Sequence, residues 1–339
     1  MQNKLSEGKL LNEKGNLNEA GYAFSLIKEY ERKAIKANKM RIKEWDYYYI
    51  GNDKYGIALT VSDNSYMNLM SVSVLHFEEK WEKTKSYIQF FSNGKVNLPP
   101  SSKIGDINFK SKNCEMNFYN DGKVRHLVVK FKNLADKKDF ECDVILEESM
   151  EDSMVIATPF NKDKHFYYNQ KINCLKAKGY AKFGELTLDL NDSYGVLDWG
   201  RGVWTYSNTW YWSSMSGMYN GNIIGFNLGY GFGDTSKASE NVFFYKDKAY
   251  KLEDVCFNIP NDGTKQINYM DKWHFTSSDN SIDMIFEPII DRYAALDVIV
   301  LKSIQHQVFG KFSGYVMIDG EKVEFKDMLG FAEKVRNCW

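Results

Sequence analysis

The sequence is poor in proline and cysteine, and neither sign of charge prevails in it. Proline and cysteine each account for only 5 of the 339 residues, and 44 Lys and Arg side chains balance 45 Asp and Glu side chains. The formal net charge of −1 excludes a chain-wide electrostatic attraction to nucleic acid or to an anionic membrane. No run approaches the roughly 20 apolar residues that a membrane-spanning helix needs. We therefore expect no nucleic-acid partner and no stable insertion into a membrane.

Targeting and disulfide signals are also missing. The first residues contain no continuous apolar segment, so no signal peptide is visible. The cysteines are odd in number, widely spaced and without a CxxC pair, which is typical of reduced thiols in a cytoplasmic protein. We expect a cytoplasmic location. The cysteines are Cys114, Cys142, Cys174, Cys256 and Cys338.

The motifs that commonly hold metals, phosphates and hydrolytic nucleophiles are absent as well. None of the 5 histidines lies in an HxH, HxxxH or HExxH pattern. The sequence has no GxxxxGK[ST] loop, no GxGxxG between a strand and a helix, and no GxSxG elbow. We expect no metal site and no cofactor.

Aromatic residues are what the sequence has in excess, since 22 Tyr, 22 Phe and 8 Trp make up 15% of it. After Arg41, short aromatic and β-branched runs alternate with turn signals. Residues 45–50 and 55–61, for example, flank Gly51-Asn52-Asp53. This pattern predicts antiparallel hairpins, and hence a barrel or a sandwich. Residues 20–39 instead predict a short helix, because their apolar side chains recur every three to four positions.

The length of the chain and an internal repeat both predict two domains. A single hydrophobic core rarely serves more than about 250–300 residues. Residues 178–204 align without a gap with residues 313–339, and a weaker echo relates Trp45-Asp46-Tyr47 to Trp210-Tyr211-Trp212. The matched pairs include Gln170 with Gln305, Asp198 with Glu333, Arg201 with Arg336 and Trp204 with Trp339.

Two copies of roughly eight short strands, at about 150 residues each, suit two small up-and-down barrels. We predict a partly helical N-terminal extension over residues 1–40, a first barrel over 41–195 and a second barrel over 196–339. A closed barrel has no exposed edge strand, and the mouth of a small barrel is a common ligand pocket.

The densest aromatic stretch surrounds Asp198, beside which four of the eight tryptophans cluster. A carboxylate among indoles would be desolvated, which raises its pKa and suits it to general-acid chemistry. The alternative is structural. Asp198 and Arg201 would form an ion pair that closes the barrel, and Glu333 and Arg336 would repeat that brace. The residues leave both interpretations open.

A second aromatic segment, residues 165–171, carries a histidine, two phenols and an amide. Alternate residues of a strand share a face, so His165, Tyr167 and Asn169 would face one way and Tyr168 the other. The same alternation fits a pocket wall and a half-exposed strand.

The segments KHFYYNQKINCL and SYGVLDWGRGVW carry a family resemblance, together with RIKEWDYYYIGNDKYGIALT near the start and HQVFGKFSG near the end. With them, nearly the whole sequence resembles a bacterial family catalogued as domain of unknown function 2804. More distantly, the YYN strand and the DWG turn resemble the AttH-like and carotenoid-hydratase group, to which some fungal Diels–Alderases are similar.

The wider resemblance implies a fold and a chemistry. Members of that group have two lipocalin-like (calycin) barrels in tandem and bind long apolar molecules. Some hydrate or cyclise these molecules by proton transfer without a cofactor. Asp198 and Trp199 match the group's turn, and Tyr168 and Asn169 match its strand. Asp198 runs directly into Trp199, so the His of that turn is absent, and Asn169 stands where the group usually has Ser.

The sequence therefore predicts an all-β protein with two tandem lipocalin-like antiparallel barrels and a short N-terminal helical segment. We expect it to bind an apolar or amphipathic small molecule, lipid-, isoprenoid- or polyketide-like, in an aromatic pocket. Asp198 is the candidate acid for cofactor-independent hydration, isomerisation or cyclisation. A non-catalytic lipid or isoprenoid carrier and an interaction scaffold with filled barrels are the alternatives. The candidate binding residues are Tyr168, Asn169, Trp199, Trp204, Asn208, Trp210 and Trp212.

Overall fold

The computed structural model describes residues 2–261, 267–298 and 301–338. Trp339, which the repeat pairs with Trp204, lies outside the described residues. Two large antiparallel sheets hold most of the described chain, with 13 and 9 strands, and a two-stranded parallel sheet lies near the N-terminus. The described helical segments are the single 3₁₀ turns Arg32–Ala34 and Lys39–Arg41. No helix in the described parts of the chain is long and apolar enough to cross a membrane.

The strands are named in chain order. Before the first barrel-like unit lie β1 (Gly8–Lys9), β2 (Gly21–Ala23) and β3 (Lys28–Glu29). The first unit contains β4 (Ile42–Gly51), β5 (Tyr55–Asp63), β6 (Met67–His76), β7 (Trp81–Phe90), β8 (Ile107–Lys110), β9 (Cys114–Asn120), β10 (Val124–Ala135), β11 (Lys138–Glu148), β12 (Met154–Pro159), β13 (Phe166–Phe183), β14 (Leu186–Asp189) and β15 (Tyr194–Val203). The second contains β16 (Ser207–Tyr219), β17 (Asn222–Tyr230), β18 (Val242–Tyr245), β19 (Lys248–Lys251), β20 (Val255–Asn258), β21 (Trp273–Ser277), β22 (Ile282–Val298), β23 (Leu301–Ile318) and β24 (Glu321–Cys338).

The two sheets share one topology. The first runs β7-β6-β5-β4-β15-β13-β11-β10-β9-β8, and the second runs β19-β18-β17-β16-β24-β23-β22-β21-β20. In each, the last long strand of the unit returns to pair with the first. The prediction of an all-β chain with two tandem antiparallel units is therefore confirmed, and β4, β15 and β13 correspond to β16, β24 and β23.

The sheets change over between Val203 and Ser207, because β15 lies in the first sheet and β16 in the second. The predicted domain division between residues 195 and 196 falls inside β15. The assignment of domains to 1–40, 41–195 and 196–339 stays a prediction.

The predicted helix over residues 20–39 does not form. β2 pairs with β12, β3 pairs with β1, and the two 3₁₀ turns follow. Leu26, Tyr30 and Ile35 pack into the first hydrophobic core from this irregular segment. Burial against the barrel and pairing with β12 outweigh the local helical periodicity.

β4 shows how strand alternation builds both the core and the contact between the sheets. Ile42, Tyr48 and Ile50 pack into the core of the first sheet, whereas Tyr47 and Tyr49 pack against the second sheet. Both faces of the strand are buried, which explains its almost continuous aromatic and apolar sequence.

Two repeat-matched glycines allow the long strands to bend. Gly179 in β13 has a φ of +132°, and a Cβ there would lie 2.1 Å from the carbonyl oxygen of Asp143. Gly314 in β23 has a φ of +146°, with a Cβ position 2.2 Å from the carbonyl oxygen of Asp283. Glycine is needed at both positions because neighbouring backbone fills the space of a side chain.

Candidate functional site

The face where the two sheets meet, formed by β13, β15 and β4 against β16, β24 and β23, is called the junction. It is aromatic, and its hydrophobic cluster joins residues of both sheets. Trp204 lies between two repeat-matched indoles, with ring centroids 5.8 Å from Trp45 and 5.3 Å from Trp210. Polar groups in such surroundings are stable only when they are hydrogen-bonded or paired.

Asp198 on β15 is one of these polar groups. Its Oδ1 accepts hydrogen bonds from Asn169 Nδ2 at 2.5 Å and from Lys171 Nζ at 2.9 Å, and its Oδ2 accepts one from Trp45 Nε1 at 3.1 Å. Asn169 and Lys171 share a face of β13, and Lys171 lies directly opposite Asp198 in the ladder. The residue is 7% exposed.

Glu333 on β24 has the same kind of surroundings in the second sheet. Its Oε1 accepts a hydrogen bond from Trp210 Nε1 at 3.0 Å. Its Oε2 accepts hydrogen bonds from Gln305 Nε2 at 3.2 Å and Gln307 Nε2 at 3.1 Å. Each carboxylate thus accepts a hydrogen bond from one indole on the neighbouring strand, β4 or β16. It accepts two more from side chains of the strand on its other side, β13 or β23.

The two carboxylates differ in charge compensation. Burial raises the pKa of Glu333 to about 7, and the charge of Asp198 adds to the rise. The Trp210 hydrogen bond and the charges of Arg292 and Lys171 oppose the rise without cancelling it. Asp198 has the ammonium group of Lys171 beside it, where Glu333 has the neutral amide of Gln307. Of the two matching carboxyls, the one in the second sheet therefore has a neutral neighbour where the other has a cation.

Glu240 adds a third buried carboxyl at the junction. Burial raises its pKa, which the charge of Lys171 opposes. A Cβ on Gly229 would lie 2.3 Å from Glu240 Oε1, so glycine is what leaves room for this carboxyl. The charge of Lys171 thus acts on all three carboxyls, while Lys251 also acts on Glu240 and Arg292 on Glu333.

The contacts across the junction are reciprocal. Tyr47 Oη donates a hydrogen bond to Gln307 Oε1 at 3.2 Å. In the matching contact, Lys171 Nζ lies 3.9 Å from the ring centroid of Trp212. Because Tyr47 corresponds to Trp212 and Lys171 to Gln307, each sheet presents equivalent positions to the other, as in a twofold dimer.

A β-bulge in β13 fixes this correspondence. The ladder to β15 steps from Ile172–Leu197 to Leu175–Gly195, so β13 carries an extra residue, and Cys174 has a φ of +58°. β23 is regular at the matching place. Gln305 therefore corresponds to Asn169, and the gapless pairing of Gln170 with Gln305 is wrong by one residue.

The bulge also ties the sheets together. Asn173 Nδ2 lies 2.8 Å from Ser214 Oγ and 3.0 Å from the carbonyl oxygen of Phe226, both in the second sheet. Cys174 N donates to Ser216 Oγ at 3.0 Å. A strained backbone here directs a polar side chain into the junction.

The structure gathers part of the predicted site. Asn169, Trp204, Trp210 and Trp212 lie at the junction with Asp198. Tyr168 and Trp199 face the core of the first sheet instead, where Tyr168 Oη donates to the carbonyl oxygen of Lys28 at 2.9 Å. Asn208 is engaged locally, through hydrogen bonds of 2.9 and 2.8 Å with Thr205.

The predicted ion pairs are not formed in the described residues. Arg201 pairs with Asp46 at 3.0 Å, and Arg336 is exposed. Residues three apart in a strand point to opposite faces, so Asp198 and Arg201 are on opposite sides of β15. Glu333 and Arg336 are separated in the same way on β24.

Several junction residues were missed from the sequence: Lys171, Trp45, Gln305, Gln307 and Glu240. The available signal was the alternation of polar side chains along aromatic strands, at positions 169 and 171 and at positions 305 and 307. Strand alternation shows that such residues share a face, but pairing between distant strands decides which carboxylate they meet.

A cleft of about 240 Å³ opens at one end of the junction. It lies between the ends of β4 and β15 in the first sheet and, in the second, the end of β16 and the middle of β24. Its inner lining includes Tyr49, Val196, Ser214, Met215, Met328 and Leu329. In the described part of the chain, no three His, Cys, Asp or Glu side chains are grouped so that they could hold a metal ion.

Known proteins share the sequence pattern and the fold of this chain. The family model described as "Domain of unknown function (DUF2804)" matches residues 2–339. No curated protein matches the sequence. A crystal structure described as AttH from Nitrosomonas europaea is similar, at 12% identity and a TM-score of 0.52 over 90% of this chain and 95% of that one. This likeness shows the shared tandem lipocalin-like fold.

Two further solved structures are similar. Kievitone hydratase from Nectria haematococca has 10% identity and a TM-score of 0.49, with 88% of each chain covered. CghA has 9% identity and a TM-score of 0.44, with 98% of this chain and 97% of that chain covered.

Proposed function

This chain belongs to the DUF2804 family, as its sequence predicted, and we propose that it binds an apolar or amphipathic small molecule at the junction and transfers protons on it without a cofactor. One observation carries the proposal. Burial raises the pKa of Glu333 to about 7, while the matching carboxylate, Asp198, is paired with Lys171. Two carboxyls held in different environments are the usual basis of an acid and a base at neutral pH.

The proposed chemistry needs one proton donor and one proton acceptor. Glu333 gives its proton to a double-bond carbon or an oxygen of the ligand. Asp198, whose Oδ1 lies 2.9 Å from Lys171 Nζ, accepts a proton from a neighbouring carbon or from the water that adds. In isomerisation, cyclisation and hydration the ligand, with any added water, gains one proton and loses one, and no electron leaves or enters it. The cycle closes when the proton taken up by Asp198 is released to water and Glu333 takes up another.

Asp198 thus keeps a catalytic role in the proposal, although it acts as the base and not as the acid that the sequence suggested. Trp45 and Trp210 fix the orientation of the two carboxylates through their indole hydrogen bonds. Trp204, packed between these indoles, and Trp212 provide the apolar wall. These surroundings favour an apolar ligand.

The cleft gives the ligand a route inward. Val196 lines the cleft and lies on the same face of β15 as Asp198, two residues and therefore about 7 Å along the strand. The rings of Tyr49 and Phe331, 5.5 Å apart between centroids, pack on the same side of the junction. We propose that they shift to admit a ligand.

The rival functions are a carrier and a scaffold. Both oxygens of Glu333 are occupied by protein donors, an arrangement that a purely structural role also requires. A carrier needs the pocket without the proton transfer, and a scaffold needs neither.

The test incubates the full chain with an apolar extract of its source cells in D₂O. Native mass spectrometry identifies retained molecules, and chromatography with mass detection follows deuterium. We expect a retained molecule to gain deuterium or D₂O with the wild type and to be retained unchanged by Glu333→Gln. Glu324→Gln, an exposed change on the same strand, serves as the control and should match the wild type.

The remaining outcomes contradict the proposal in different ways. Retention without labelling by the wild type would make the protein a carrier. Failure of the wild type to retain any molecule would favour the scaffold. Equal labelling by wild type and Glu333→Gln would remove Glu333 from the chemistry.

A further inference from the structure

We propose that the cleft at the end of the junction binds an uncharged, mostly apolar molecule of about ten non-hydrogen atoms, and that the Tyr49 hydroxyl recognises its single polar group. The inference deepens the proposed function and rests on it for the place of the chemistry. It names the ligand class from the cleft alone.

The cleft is built from matching positions of both sheets. Tyr49 of β4 corresponds to Ser214 of β16, and Asp192 before β15 corresponds to Asp327 on β24; all four line it. Methionines from the second sheet supply a flexible apolar wall, which adapts readily to a ligand's shape. The cleft therefore belongs to the contact between the sheets and to neither barrel alone.

Tyr49 provides the polar element. Its ring packs against Phe309 and Phe331, with centroid distances of 5.1 and 5.5 Å, and its hydroxyl is buried without a hydrogen-bond partner in the described structure. A Cβ on Gly51, which also lines the cleft, would lie 2.3 Å from that hydroxyl. Glycine at position 51 thus makes room for the Tyr49 hydroxyl itself at the lining of the cleft.

An unpaired buried hydroxyl is unfavourable, so a ligand that pairs with it gains affinity over one that does not. Sites built around such a group discriminate strongly between a hydroxyl-bearing ligand and its methyl analogue. The tyrosine is accordingly expected to determine specificity.

The charges at the mouth favour an uncharged ligand. Asp53, Asp192 and Asp327 are exposed there, and none of the described residues that line the cleft is Lys or Arg, which disfavours an anion. Lys311 lies 3.6 Å from Asp53, and Lys176 lies 3.5 Å from Asp192, so two of the three carboxylates already have counter-ions. Little attraction for a cation is left.

The volume of the cleft limits the size of the ligand that it can hold. An apolar cavity of about 150 Å³ holds benzene, which has six non-hydrogen atoms. In proportion, the cleft of about 240 Å³ holds about ten.

The test titrates the full chain with 1-naphthol and with 1-methylnaphthalene by calorimetry. The two probes have the same shape and differ in one hydroxyl. We expect wild-type protein to bind the naphthol at least about tenfold more tightly. Tyr49→Phe should lose that preference and keep its affinity for the methyl probe. Tyr211→Phe, a change on the opposite face of β16, should keep the wild-type preference.

A second variant tests whether the two probes bind in the cleft. Leu329→Trp should fill the cleft and weaken both probes at least about tenfold, with melting curves checking that each variant is folded. Equal affinity of the wild type for the two probes, a preference that survives Tyr49→Phe, or unchanged binding to Leu329→Trp would overturn the inference. Probe binding as expected, together with no deuterium transfer in the D₂O experiment, would contradict the proposed function and leave this inference standing.

Discussion

Tyr47 and Trp212 occupy matching positions in the two sheets, and their rings meet edge to face with centroids 5.8 Å apart. Each lies opposite a junction carboxylate in the strand ladder, Asp198 for Tyr47 and Glu333 for Trp212. The two carboxylates thus flank a contact between equivalent residues. They differ in their partners, which are the ammonium group of Lys171 in one sheet and the neutral amide of Gln307 in the other.

Replacing Gln307, the neutral partner of Glu333, with lysine should change the pH dependence of stability. Between the usual glutamate pKa of 4.5 and the folded pKa of about 7, the folded state binds one more proton at Glu333 than the unfolded state. The free energy of unfolding from this residue therefore falls by about 3 kcal/mol as pH rises through that window. Gln307→Lys supplies a counter-ion and should remove most of the fall.

Urea unfolding at pH 5 and pH 8 measures this effect. Gln89→Lys adds the same charge on the exposed strand β7 and should leave the wild-type difference between the two pH values intact. An unchanged difference in Gln307→Lys would contradict the assignment to Glu333.

Removing the ammonium group of Lys171 should destabilise the junction. Lys171→Gln leaves Asp198 buried without its counter-ion, which is expected to lower the free energy of unfolding by about 3–5 kcal/mol. Adding Asp198→Asn should restore most of the loss, because a neutral amide has no charge to compensate. Denaturant titrations of the four proteins in this double-mutant cycle test the coupling, and additive effects would argue against it.

The two repeat-matched arginines should behave differently. Arg201 is fully buried and paired with Asp46, so Arg201→Met is expected to lower the free energy of unfolding by about 3–5 kcal/mol. Arg336 is exposed, and Arg336→Met should change the free energy of unfolding by less than about 0.5 kcal/mol. Similar losses in both variants would restore the idea of a duplicated brace.

Asn173 should be needed for the association of the two sheets. Asn173→Ala removes the donor that reaches Ser214 and Phe226 and should lower the free energy of unfolding by about 2 kcal/mol. Asn108→Ala, an exposed change in the first sheet, is the control. Thermal and urea unfolding measure both, and equal small effects would show that the bulge is not what holds the sheets together.

Much of the fold could be predicted from the sequence, because it depends on local alternation and on a repeat. The hairpins from β4 onward follow from aromatic runs and turns, and Gly179 and Gly314 match because both bend a long strand. The sequence of residues 20–39 alone could not show that no helix forms there, since Tyr30 and Ile35 are held by a core assembled from distant strands.

The site was less predictable. Aromatic density identified Asp198, and the repeat identified Glu333. The role of each depends on what the neighbouring strand places opposite it, and the extra residue at the Cys174 bulge shifted that correspondence by one. Spacing along the chain also misassigned Arg201, whose partner Asp46 lies on another strand.

The proposed proton donor, Glu333, must be a buried carboxyl that can hold a proton near neutral pH, and NMR titration of that carboxyl measures this property. In full-length protein with ¹³C at the glutamate side-chain carboxyl, we expect one resonance titrating near pH 7 that disappears in Glu333→Gln. If the resonance lost in Glu333→Gln instead titrates below about pH 5, the carboxylate is ionised at neutral pH, and Glu333 is not the proton donor.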